Sequence, residues 1–221
     1  MLIAQGVTDR GRVRTTNEDA LLCEPALGLF VVADGMGGHQ AGEVASALAV
    51  EAIKSFLARS QQSQDFTWPY GIDPALSFHA NRLMTAIKLA NRRVVKAGES
   101  REDYAGLGTT VVAALVVGGR LFYAGVGDSR IYLHANGRIE QMTQDDSWAA
   151  TVLGRSGMDN DAIASNQFLE PIESAGWTRR YRLVVEVALQ IGRQAIGRLV
   201  ATRPILLQCF DDHPIEVAPQ K

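Results

Sequence analysis

Three acidic clusters in this sequence lie beside short apolar runs. The first is Asn17-Glu18-Asp19, the second is Asp34 followed by Gly35, and the third is Asp128 in a Gly-Asp-Ser turn. Strand ends are rigid, so carboxylates placed there can converge on one point. Mg²⁺ and Mn²⁺ prefer oxygen ligands of this kind. The clusters therefore predict a divalent-cation site, to which the Gly35 carbonyl can contribute because glycine adds no side-chain bulk.

Each cluster also has an ordinary structural interpretation. Asn, Asp and Gly are common in turns, so the triplet at 17–19 and the Asp-Gly step can both be simple turns. Asp128 and Ser129 can hydrogen-bond the backbone of their own turn, and Arg14 can be a surface charge. Three such clusters in one chain, with an arginine just before the first, favour a common site over three unrelated turns.

The elements that must position these residues are short strands and two long helices. Apolar runs predict strands at 2–9, 20–24 and 27–34. Helical spacing predicts helices at 43–59 and 80–100. From 108 to 143, β-forming runs are separated by glycine turns, and Asn136-Gly137 predicts a tight hairpin. The pattern indicates an α+β domain with helices packed on largely antiparallel sheet.

The C-terminal quarter is less regular. Residues 181–201 repeat apolar side chains every four positions, as a helix would, but they also fit two strands around Gly192 and Gly197. Periodicity leaves both interpretations open.

Composition limits the possible classes of function. The chain has 221 residues, 47% of them hydrophobic, and a net charge of −2, which fits one globular domain. No basic block that would bind nucleic acid is present, and no apolar run approaches the roughly 18 residues of a membrane span. Cys23 and Cys209 lie far apart, and no signal-peptide pattern is visible. We expect a cytoplasmic protein without disulfides, nucleic-acid partners or membrane contacts.

Taken together, the motifs resemble those of a known family. RVRTTNED, VVADGMGGHQAGEVAS, GTTVVAAL, GVGDSRIYL and MTQDDSW are similar, in order and spacing, to the motifs of the bacterial type 2C (PPM) metal-dependent Ser/Thr protein phosphatases. The resemblance covers about residues 3–166. It implies a PPM-type domain over 1–166 and a divergent or truncated remainder of the same domain over 167–221. The implied fold is a β-sandwich flanked by helices on both faces, incomplete at the C-terminus, with residues 143–165 as a flap over the site.

The resemblance also implies roles for the acidic residues. Asp34 would bridge two Mn²⁺ or Mg²⁺ ions. The Gly35 carbonyl and Glu18 would hold one of these ions, and Asp19 would support the cluster. Asp128 would lie near a third, weaker ion position.

The implied reaction is hydrolysis of phosphoserine and phosphothreonine in proteins modified by a Ser/Thr kinase. Arg14 would bind the phosphate with its fork of donors. A water bridging two ions held by Asp34 would lose a proton near neutral pH and attack phosphorus in line.

Two departures from the family pattern affect these expectations. Met36 stands where some relatives carry a histidine that acts as a general acid. Of two later aspartates that complete the first ion's shell, only Asp211 has a faint counterpart; its strand would have to dock beside the strand that carries Asp34. On ligand count such a chain would be a poor phosphatase. The alternative function is therefore a catalytically impaired relative, truncated or regulatory, and a plain α+β domain with coincidental acidic turns is disfavoured.

Overall fold

The computed structural model describes residues 2–37, 41–62, 67–104, 106–135, 138–143, 181–186 and 205–209. The strands are β1 Leu2–Gln5, β2 Asp19–Glu24, β3 Leu29–Met36, β4 Gly108–Thr109, β5 Val111–Val117, β6 Arg120–Val126, β7 Arg130–Ala135, β8 Arg138–Gln141, β9 Tyr181–Glu186 and β10 Ile205–Cys209. The helices are α1 Ala41–Gln62 and α2 Phe78–Ser100, followed by a 3-10 turn at Glu102–Tyr104.

The strands form two antiparallel sheets. One sheet has the order β2-β3-β5-β6, with β4 pairing on β3, and the other has the order β1-β10-β9-β7-β8. Successive side chains of a strand point to opposite faces, and β3 shows this clearly. Leu29 and Val31 belong to one apolar cluster, whereas Phe30 and Val32 belong to a second cluster that also contains Ile131 of β7. The second cluster therefore fills the space between the sheets of a sandwich.

The two helices cover the outer face of the first sheet. Ile53 of α1 and Leu83 of α2 are buried in the same apolar cluster as Leu29 and Val31. The start of α2 is fixed by Ser77, whose side chain accepts a hydrogen bond from the Ala80 amide, the usual arrangement of a helix N-cap. Within the described part of the chain, no helix combines the length and the apolar character needed to cross a membrane.

The α+β architecture predicted from the sequence is confirmed, with shifts at element ends. The strand expected to stop at Asp34 continues to Met36, and β7 and β8 pair as the predicted hairpin around residues 136–137, with Ala135 opposite Arg138. The described residues contain one helical layer. The predicted second helical layer is not among them, and the predicted flap at 143–165, apart from Thr143 itself, lies outside them.

Two strands come from the region where periodicity left two interpretations open. Tyr181–Glu186 is a strand, so the start of 181–201 follows the strand interpretation and not the helical one. β9 and β10 pair with each other and lie between β7 and β1. Gly192 and Gly197 fall outside the described residues, and the predicted division of the domain at residue 166 stays a prediction.

Candidate functional site

Two of the predicted carboxylates face each other across neighbouring strands. In the antiparallel pairing of β2 and β3, Asp19 lies opposite Asp34. The next pair along is hydrogen-bonded, because the Gly35 amide donates to the Glu18 carbonyl at 3.1 Å. Bonded and non-bonded pairs alternate in such a ladder, so Asp19 and Asp34 form a non-bonded pair, in which side chains approach most closely. Strand register therefore brings the two carboxylates together.

The pair lies at one end of the space between the sheets. Asp34 follows Phe30 and Val32 in the alternation of β3, and both of these side chains lie in the inter-sheet cluster. Asp19 follows the same alternation in β2, where Leu21 packs on that cluster. Both carboxylates are half-buried, so an apolar core lies on one side of them and the rim of the sandwich on the other.

The surroundings of Asp34 disfavour its charged form. Burial, the charge of Asp19 and a hydrogen bond shared with Asp19 raise the pKa of Asp34 to about 7, with the charge of Asp128 adding to the rise and that of Arg14 opposing it. Burial also raises the pKa of Asp19, although the hydrogen bond with Asp34 and the charge of Arg14 work in the opposite direction. Near pH 7 the two carboxyls therefore share a proton, as close carboxylates do.

Gly35 lets helix α1 come against the strand that carries Asp34. A Cβ atom added at Gly35 would overlap the carbonyl oxygen of Gly42, in the first turn of α1. The Ser46 hydroxyl lies 2.6 Å from the Glu18 carbonyl, to which it donates. These contacts hold the start of α1 beside the site, and glycine is required at position 35 because no other residue leaves that space.

Glu18 faces the helix and not the carboxylate pair. Its carboxyl carbon would lie 2.9 Å from a Cβ atom added at Gly42, so Glu18 contacts the positive end of α1. Arg14 donates to Glu18 over 3.5 Å, and the Arg14 side chain is 56% exposed. Arg14, the residue predicted to bind phosphate, is thus held by one nitrogen of its guanidinium and is open to solvent.

The remaining predicted ligands occupy different situations. Asp128 lies in the loop between β6 and β7, close enough for its charge to act on Asp34. Asp211 lies outside the described residues. β10, the strand before Asp211, pairs with β1 and β9 in the sheet opposite β3, so it does not dock beside the strand of Asp34.

The site also contains residues whose role sequence reasoning missed. Thr109 and Thr110 bond the backbone of Asp34, and the Ser129 hydroxyl bonds that of Thr110. Their signal in the sequence was a Thr-Thr pair before an apolar strand and a serine directly after Asp128.

A divalent cation fits the chemistry of this carboxylate pair. Two half-buried carboxylates that share a proton form an oxygen donor set whose repulsion a cation would relieve. Within the described ranges, however, no group of three or more His, Cys, Asp or Glu side chains is gathered closely enough to hold an ion alone. Backbone carbonyls such as that of Gly35, and water, would have to complete the shell.

The chain is similar to known proteins of one family. A family model described as protein phosphatase 2C matches residues 9–169. The serine/threonine phosphatase stp of Listeria welshimeri is 38% identical over 166 residues, which are 72% of this chain and 60% of that relative. PstP of Mycobacterium tuberculosis is 36% identical over 146 residues, which are 66% of this chain and 25% of that relative. The chain thus spans less than two thirds of the length of these relatives.

Solved structures give the same result for the fold. The catalytic domain of PstP in complex with two manganese ions aligns with a TM-score of 0.58 at 31% identity, covering 83% of this chain and 77% of that one. A serine/threonine phosphatase of S. agalactiae aligns with a TM-score of 0.59 at 28% identity, covering 85% and 79% of the two chains.

Proposed function

The chain belongs to the protein phosphatase 2C family, and on that premise we propose that it is a metal-dependent phosphoprotein phosphatase acting on phosphoserine and phosphothreonine. The resemblance seen in the sequence motifs is thereby confirmed. The observation that carries the proposal is the facing pair Asp19 and Asp34, which lies inside the matched region. Two carboxylates held together by strand register repel each other and lower the stability of the fold, and a bound cation would offset that repulsion.

Several observations support the finer parts of the proposal. Relatives are named serine/threonine phosphatases, and one related structure contains two manganese ions. We take Mn²⁺ or Mg²⁺ as the cofactor, a kinase-modified protein as the substrate and the cytoplasm as the location. All the predicted site residues except Asp211 lie within residues 9–169.

The acidic residues would have different roles in binding the ions. Asp34 and Asp19 would bind directly or through water, and the Gly35 carbonyl and Asp128 would be further ligands. Glu18 lies on the helix side of the site, where it would hold the guanidinium of Arg14. Divalent ions bound there would lower the pKa of a water and offset charge on the phosphoryl oxygens.

Arg14 is placed to receive the phosphate. Its guanidinium is largely exposed and is tethered at 3.5 Å by Glu18, so its free donors can meet two phosphoryl oxygens at once. Met36 stands directly after Gly35 and is 48% exposed. A thioether gives no proton, so that position supplies no general acid for the leaving group.

The test is Mn²⁺-dependent hydrolysis of a phosphothreonine peptide by the wild type and by Asp34→Asn. Asparagine keeps the shape of the side chain and removes its charge, so we expect a loss of at least about one hundredfold in turnover, since ligand loss of this kind removes an electrostatic contribution of several kcal/mol. An exposed acidic control, Asp103→Asn, should leave turnover unchanged. Equal turnover in wild type and Asp34→Asn would contradict the proposal.

The same assay separates the impaired-relative alternative. A chimera whose residues after Asn166 come from an intact relative supplies the late aspartates that this chain matches only faintly. Turnover far below that of the chimera would support the alternative function, whereas comparable turnover would support an active phosphatase. In the latter case Asp211→Asn is the next variant to measure.

A further inference from the structure

Thr110 stands opposite Asp34 at the end of a strand ladder. β3 and β5 pair from Leu29 opposite Leu115 to Val32 opposite Val112, and β4 pairs with β3 at Gly35 opposite Thr109. Between these two stretches, the same register places Thr110 across from Asp34. A hydrogen-bonded pair at this position would normally exchange two backbone bonds.

Only one of those two bonds is a backbone bond. The Thr110 amide donates to the Asp34 carbonyl at 2.9 Å. The Asp34 amide, however, donates to the Thr110 hydroxyl at 3.1 Å and not to a carbonyl. The Thr109 hydroxyl also lies 3.0 Å from the Asp34 carbonyl. The backbone that carries the central carboxylate is therefore held by side-chain hydroxyls.

The other side of the Thr110 hydroxyl faces the loop that carries Asp128. Its oxygen lies 2.6 Å from the Ser129 hydroxyl, and Ser129 is only 3% exposed. Gly127 packs directly on Thr110: a Cβ atom added at this glycine, whose φ is +96°, would lie 2.7 Å from the threonine methyl. The loop is thus docked on Thr110 by one hydrogen bond and one close backbone approach.

We propose that Thr110 and Ser129 are positioning residues that fix Asp128 relative to Asp34, so that both carboxylates can serve one group of divalent ions. This inference rests on the proposed function. One hydroxyl meets the Asp34 amide and the Ser129 hydroxyl at once, so displacing either partner changes the other. In this role neither residue is a ligand; each holds the backbone beside a carboxylate. Groups that orient ligands in this way are commonly worth about ten- to one hundredfold in metal affinity.

Thr110→Val is the main variant, because valine keeps the shape and removes the hydroxyl. Thr143→Val is its matched control. Thr143 is buried whereas Thr110 is half-buried, and the Thr143 hydroxyl also accepts from a backbone amide, that of Ile131, at 3.0 Å. Both variants leave one backbone amide without its hydroxyl partner, and the amide is the more buried one in Thr143→Val, so a general loss of stability should be at least as large in the control. Thr110→Ser, which restores the hydroxyl, is the rescue variant.

Two measurements on the full chain decide the matter. Hydrogen exchange of the Asp34 amide in metal-free protein should accelerate at least tenfold in Thr110→Val and stay unchanged in Thr143→Val. Calorimetric titration with Mn²⁺ should show at least roughly tenfold weaker binding for Thr110→Val and for Ser129→Ala. Binding should stay within twofold for Thr143→Val and recover in Thr110→Ser.

The outcomes distinguish this inference from the proposed function. If wild type binds no Mn²⁺, the proposed function fails and the positioning role falls with it. If wild type binds Mn²⁺ and Thr110→Val binds it as tightly as Thr143→Val does, only the positioning role is overturned. Weaker binding by Thr110→Val with full recovery in Thr110→Ser supports it.

Discussion

Asp34 and Arg82 are both ionisable side chains that the fold removes from water, but their surroundings act on their charges in opposite ways. Asp34 is half-buried opposite another carboxylate, Asp19. Arg82, on α2, is 4% exposed and is surrounded by neutral acceptors from the end of α1 and from its own helix. The surroundings of Asp34 destabilise its negative charge, whereas those of Arg82 stabilise its positive charge.

The contacts of Arg82 show what compensation requires. Its guanidinium donates to the Ser60 hydroxyl at 2.9 Å and to the Leu57 carbonyl at 2.6 Å, and it lies 3.2 Å from Nδ1 of His79. Burial and the charge of Arg82 lower the pKa of His79, so the imidazole stays neutral and can accept. Every contact favours the cation, which indicates a structural role at the junction of the two helices. Asp34 has the opposite environment, which is the one that the proposed cation site requires.

The largest effect on stability should come from Arg82→Met. Methionine fills similar volume but leaves the Leu57 carbonyl and His79 without their donor, so unfolding free energy should fall by roughly 2–4 kcal/mol. Arg93→Met, an exposed arginine on the same helix, is the control and should change little. Urea denaturation measures both. Equal stability of the two variants would contradict this interpretation, because Arg82 would then contribute no more to stability than an exposed arginine does.

An intermediate effect should appear in the pH dependence of metal-free protein. The folded pKa of Asp34, about 7, lies above its ordinary value of 3.8, so the bound proton favours the folded state. That contribution is fully present below pH 3.8 and is lost as the pH rises through 7. In the presence of EDTA we expect Tm to fall by several degrees between pH 6 and 8 in wild type, and less in Asp34→Asn. Parallel pH profiles would show that Asp34 does not carry this proton.

The smallest effect on stability should come from Arg14→Ala. This arginine is more than half exposed and paired with Glu18, so its removal should change unfolding free energy by less than about 0.5 kcal/mol. If Arg14 binds phosphate, kcat/KM for a phosphothreonine peptide should still fall roughly tenfold to one hundredfold, the value of a charged hydrogen bond. A loss of stability without a loss of kcat/KM would make Arg14 resemble Arg82 and would refute its predicted role.

Much of this fold was readable from the sequence, because its signals are local. Helical spacing predicted α1 and α2 to within two or three residues, and Asn136-Gly137 predicted the β7–β8 hairpin. The tail was ambiguous because its apolar spacing fits a helix as well as strands. Only pairing with β10 and β7 makes 181–186 a strand, and such pairing is not encoded in a short window.

The sequence predicted which residues belong to the site better than it predicted how they are arranged. The residue types identified Asp19 and Asp34 as candidates, but strand register decides that these two face each other while Glu18 turns toward α1. A slip of β2 by one residue would turn Glu18 toward the space between the sheets and Asp19 toward α1. Arg82 and Ser129 were missed as organising residues because burial, not residue type, gives them their roles.

Thermal unfolding of wild type and Asp34→Asn at pH 8, in EDTA and in Mn²⁺, tests the central claim that this carboxylate pair destabilises the metal-free fold and binds a cation. In EDTA, Asp34→Asn should be at least as stable as wild type, because the amide removes the repulsion with Asp19. In Mn²⁺ the order should reverse, since binding stabilises only the protein that holds the ion. If Mn²⁺ raises the Tm of both proteins equally, or of neither, the account is contradicted.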